Sequence, residues 1–114
     1  MSLTPATPTG TAAPDLLDEI VRRIVEVAHP ERIIMFGSAA RGEMGPHSDV
    51  DLLVIKSGEY HHRRLAGDVY CRMHGLGQAL DVIVLTPEEI GLHRDNPWRV
   101  IHHALAEGRV IYEV

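Results

Sequence analysis

The sequence predicts an α+β domain of α/β-like order, in which a small mixed β-sheet is flanked by helices. Three observations carry this reading. An apolar stripe with three- and four-residue steps opens the patterned part of the chain. Short apolar runs bounded by glycine, proline and polar turns recur after it. Helical and strand segments then alternate in the order α-β-α/loop-β-α-β-α-α-β. The 114 residues leave room for one domain, and 45% hydrophobic against 4% aromatic residues means a core built from Val, Ile, Leu and Ala.

Met1 to Pro14 holds Thr, Pro, Ala and Gly, with neither the charged nor the apolar stretch of a signal peptide. It reads as a disordered tail, residues 1–14, ahead of a domain spanning 15–114. A helix is expected from Asp15 to Ala28, with Leu16, Leu17, Ile20, Val21, Ile24, Val25 and Ala28 on one face, and His29-Pro30 ends it because the residue before proline avoids the α region. Arg32 to Phe36 is a buried strand running into a Gly37-Ser38 turn. Ala39 to Ser48 is a short helical turn and a loop, and Asp49 to Lys56 is the second strand. Glu59 to Gly75 is a helix burying Leu65, Val69, Tyr70 and Met73, and Ala79 to Leu85 is the third strand. Thr86-Pro87-Glu88-Glu89 opens a helix with a threonine cap, proline at the first position and glutamate at the third. A last helix from Pro97 to Glu107 closes at Gly108, and Val110-Ile111-Tyr112 is a terminal edge strand.

The formal net charge of -5 argues against strong nucleic-acid binding, which needs a basic face. One cysteine, Cys71, permits no internal disulfide and fits a reducing compartment. No run approaches the ~18 apolar residues of a membrane span. A cytoplasmic address without membrane contact is expected.

Chemistry concentrates in Gly37-Ser38-Ala39-Ala40-Arg41-Gly42 and Ser48-Asp49-Val50-Asp51. Side chains two apart on a strand share a face, so Asp49 and Asp51 project side by side. Like charges there repel, and Asp is a poor strand former. A cation between them accounts for the arrangement, since Mg²⁺ takes one or two carboxylates plus substrate phosphates. Asp81 opens an otherwise apolar strand and reaches the same place if the second and third strands pair. Three carboxylates can hold two ions, which stabilise the attacking and leaving oxygens of an in-line displacement. Gly37 lets backbone approach a ligand, helix N–H groups and the Ser38 hydroxyl can hold phosphate oxygens, and Arg41 lies one helical turn on.

Two other motifs fail. Gly37 to Gly42 has P-loop glycine spacing, but Glu43-Met44 stands where Lys and Ser/Thr belong. A phosphatase of the haloacid dehalogenase kind carries its aspartate pair after an apolar strand, whereas here the apolar run follows the pair. The paired histidines, His61-His62 and His102-His103, and the Cys71–His74 step are not read as a metal site.

Gly37-Ser38, ten residues, then Asp49-Val50-Asp51 resembles the signature of the DNA polymerase β-like nucleotidyltransferase superfamily. The surrounding Ala40-Arg41-Gly42, Ser48 and the later Asp81 resemble its minimal nucleotidyltransferase branch, and the likeness covers Leu16 to the C-terminus. The resemblance implies that Gly37, Ser38 and Arg41 bind the triphosphate and that Asp49, Asp51 and Asp81 bind two Mg²⁺ ions. Asp81 would complete the metal site or take the acceptor's proton. It implies transfer of AMP from ATP to a hydroxyl, and a small helical HEPN-type partner whose tyrosine is the acceptor, the chain acting as antitoxin in a homo- or hetero-oligomer. Two alternatives stay open: a weakly catalytic module that sequesters a partner protein, and an adenylyltransferase for a small molecule such as an antibiotic.

Overall fold

The computed structural model describes residues 14–43, 48–96 and 99–114. In chain order the elements are α1 (Pro14–Ala28), β1 (Arg32–Phe36), α2 (Ser38–Arg41), β2 (Val50–Ile55), α3 (His62–Arg72), β3 (Leu80–Leu85), α4 (Pro87–His93), α5 (Val100–Glu107) and β4 (Arg109–Glu113). The tail expected over residues 1–14 lies outside the described residues except for Pro14, as do Met44 to His47 and the Pro97-Trp98 start of the last expected helix.

The strands form one mixed sheet in the order β3-β2-β1-β4. β1 runs antiparallel to β2 and β4, while β2 and β3 are parallel and joined through α3. The α+β reading of the sequence therefore holds. Alternation along β2 divides the core in two. Val50, Leu52 and Val54 face a cluster with Ile20, Ile24 and Ala28 of α1 and Val69 and Met73 at the end of α3. Leu53 and Ile55 face a second cluster with Ile34, Ile90 of α4, and Ile101 and Ala104 of α5. A strand buried on both faces needs a continuous apolar run, which Leu52 to Ile55 supplies. Each fully buried Leu, Ile or Val contributes about 1.5–3 kcal/mol of transfer free energy.

α1 ends as expected, with a further detail. His29 takes a positive φ of 49° and donates its N–H to the Val25 carbonyl at 3.0 Å, which caps the helix before Pro30. α3 starts three residues later than expected, because the His61 side chain accepts the Arg64 N–H and so acts as the N-cap. Tyr70, expected inside, is exposed. Its hydroxyl accepts the Val82 N–H at 2.8 Å, covering part of the outer edge of β3. The Thr86–Glu89 capping box forms as expected. β4 is an edge strand, and its pairing with β1 shifts register between Ile33 and Ile34, a bulge that bends an otherwise open edge.

Candidate active site

The sheet topology gathers three chain segments at one end. Because β1 and β2 are antiparallel with Phe36 opposite Asp51, the chain leaving β1 turns at Gly37 directly beside Asp51. Because β2 and β3 are parallel with Asp51 opposite Asp81, the two carboxylates leave neighbouring strands on the same face. That face is the one carrying Leu53, Ile83 and Leu85, not the α1–α3 side. Asp49 lies exposed just before β2. The second and third strands do pair, and their parallel register sets Asp81 across from Asp51.

Asp51 is half-buried and Asp81 exposed. Burial raises the Asp51 carboxyl above the ordinary aspartate range, the charges of Asp81 and Asp49 raise it further, and Arg41 opposes them. The site is thus an under-compensated cluster of negative charge. Among the described residues, no three His, Cys, Asp or Glu side chains already close into a metal cage. The carboxylates share a face and an end of the sheet without converging on one point.

Gly37 has φ 73° and ψ -153°, a region that costs side-chain-bearing residues about 1–3 kcal/mol. A Cβ built there would collide with Asp51 Oδ2. The bare Cα is therefore what allows the carboxylate to lie against the turn. The four-residue α2 follows, anchored by fully buried Ala39, and its N-terminus carries no side-chain cap. The Ser38 carbonyl accepts the N–H of Gly42, which ends α2 at φ 73°. Ser38 itself is half-exposed at the mouth of the turn.

Arg41 stands at the site but is engaged. Its Nε donates to Glu43 Oε1 at 2.8 Å and its Nη1 to Glu107 Oε2 at 3.5 Å. Both pairs are exposed, and such pairs contribute about 0–1 kcal/mol, so they hold the guanidinium weakly. Glu107 was not anticipated, because it lies 66 residues away in sequence and gives no local signal. Gln78 was missed for the same reason. Its Nε2 donates to the Ser48 carbonyl at 3.0 Å and the Ala79 carbonyl at 2.9 Å, tying the approach to β2 to the start of β3. Val50 N–H to Ala79 carbonyl, 3.0 Å, completes that clamp.

A cavity of about 390 Å³, lined among others by Arg32, Ile55, Ile90 and Arg94, lies at the opposite ends of β1 and β2 and belongs to no part of this cluster.

The family model described as nucleotidyltransferase domain matches residues 15–111. No match is found among the curated proteins. Two solved structures share the fold. One is a crystal structure of a toxin-antitoxin with AMP-PNP, at TM-score 0.61 and 17% identity, covering 86% of this chain and 73% of that one. The other is from Sulfolobus solfataricus and is described as a nucleotidyltransferase, at TM-score 0.58 and 24% identity, covering 87% of this chain and 78% of that one.

Proposed function

The chain belongs to the nucleotidyltransferase domain family, and from that premise we propose that it transfers AMP from ATP to a hydroxyl of a protein partner. In this reading it is the antitoxin of a toxin–antitoxin pair in the cytoplasm, and the acceptor is a tyrosine of a small helical HEPN-type toxin. The observation that carries the catalytic part is the Asp51–Asp81 register pair with Gly37 lying against Asp51. The toxin-antitoxin neighbour with AMP-PNP supports the partner and the nucleotide.

The residues present fit a divalent cation, since Asp49, Asp51 and Asp81 offer hard oxygen donors whose mutual repulsion a cation relieves. Two Mg²⁺ ions held by these three would neutralise the triphosphate and the developing charge. The rest is done by the chain. The Gly37 backbone, the Ser38 hydroxyl and the first amides of α2 receive phosphate oxygens. Arg41 exchanges its weak carboxylate pairs for a phosphate oxygen, a stronger charge-assisted contact. Asp81, exposed on the edge strand β3, takes the acceptor's proton. Gln78 keeps the loop before Asp49 in register with β3.

The test is incubation of the full chain with labelled ATP, Mg²⁺ and the partner encoded beside it. Label on a partner tyrosine is expected. Its persistence with Asp51→Asn would refute the catalytic reading, and label on a small metabolite alone would refute the protein acceptor.

A further inference from the structure

The outer edge of β3 places a phenol near Asp81. Val50 N–H and Lys56 N–H bond the carbonyls of Ala79 and Leu85, so the odd-numbered residues of this segment face β2. The amides of Leu80, Val82 and Val84 therefore point outward in the plane of the sheet. Tyr70 Oη accepts the Val82 N–H at 2.8 Å, so it sits in that plane at the open edge rather than behind the sheet with the rest of α3. Val82 N is bonded to the carbonyl carbon of Asp81. Bond lengths alone then keep Oη within about 9 Å of the Asp81 carboxylate. Tyr70 is 43% exposed and belongs to neither core cluster, so rotation about χ1 can carry Oη without drawing the ring out of a core.

The other described tyrosines lie toward the far end. Tyr60 Oη donates to the Lys56 carbonyl beyond β2, and Tyr112 stands opposite Ile33 near the start of β1. Resting on the nucleotidyl-transfer reading, we infer that Tyr70 is an acceptor in cis, so that the chain modifies itself. The Tyr70 Oη–Pα bond forms as the bond from Pα to the oxygen bridging the β-phosphate breaks. Pyrophosphate leaves with that electron pair, and the phenolic proton passes to Asp81.

The experiment uses the full chain with MgATP and no partner. Intact mass should show one AMP adduct, and peptide fragmentation of the wild-type chain should place it on Tyr70, so the result does not depend on a variant folding. Tyr70→Phe should reduce labelling to background, and the labelling rate per chain should not change with protein concentration. An unmodified chain, an adduct on another residue, or a rate proportional to chain concentration overturns the inference. Binding of a fluorescent ATP analogue separates the two levels. Mg²⁺-dependent binding lost in Asp51→Asn but without a Tyr70 adduct removes only self-modification, whereas absence of any carboxylate-dependent binding removes the underlying reading.

Discussion

Replacing Asp51 with Asn should make the protein more stable at neutral pH while abolishing transfer. The carboxylate is half-buried against Gly37 and shares its face with Asp81 on the neighbouring strand. Neighbouring strands lie about 4.8 Å apart. Taking the carboxylates at about 6 Å, their repulsion is about 0.7 kcal/mol in fully screening water and about 2.8 kcal/mol at an effective dielectric of 20. Asp49 adds to it and Arg41 subtracts. A net gain of about 1 kcal/mol on substitution follows, or about 4–8 °C in Tm for a domain of this size. The sign also fixes the pH dependence. The folded pKa lies above the unfolded value of about 3.9. The destabilisation is therefore absent below that value, grows as pH rises through the folded pKa, and is complete above it. Thermal melts of both proteins without divalent ions, from pH 3.5 to 7, should show the gap in Tm opening with pH. A variant less stable than wild type at pH 7, or a gap that ignores pH, would refute the account of Asp51 as a repelled carboxylate.

Gly37→Ala should cost about 1–3 kcal/mol from backbone strain and displace Asp51, so nucleotide-dependent Mg²⁺ uptake measured by calorimetry should fall with it. Gly108→Ala drives a methyl into the Ala104 carbonyl and Ile34 where α5 meets β1, and should cost about 1–3 kcal/mol in denaturant melts without changing residual metal affinity. Thr86→Ala removes half of the capping box and should cost about 1 kcal/mol, read as a drop in urea midpoint at unchanged slope. Gln78→Ala frees the Ser48 carbonyl from β3 and should lower the transfer rate more than the Tm, as steady-state kinetics beside melts would show.

Local signals gave most of the framework. The α1 stripe, the Thr86-Pro87 start and the apolar half of β2 each depend on neighbours within a turn or a strand, and each appears where the pattern put it. The Gly37–Asp51 relation was legible as spacing, though its cause, a turn whose Cα must be bare beneath a carboxylate, required the antiparallel register. Contacts set by the sheet order were not legible. Glu107 reaches Arg41 only because β4 returns beside β1, and Tyr70 leaves the core only because β3 is an edge. A helical period marks Tyr70 as inward-facing and cannot tell whether the inward direction ends at a core or at a sheet's rim.

β2 has a consequence for how the site can adapt. From Leu52 to Ile55 it is gripped on both faces, so the Asp51 backbone is a fixed post that cannot shift without loosening both halves of the core. Asp49 in the preceding loop and Arg41 on its single helical turn have no such grip, and Asp81 stands on the outermost strand, paired along one edge only. Any tightening around a bound triphosphate must come from these three moving in toward Asp51. Damage to the interior should therefore blunt the immobile anchor and leave the adjustable arms intact, while changes at the rim should do the reverse.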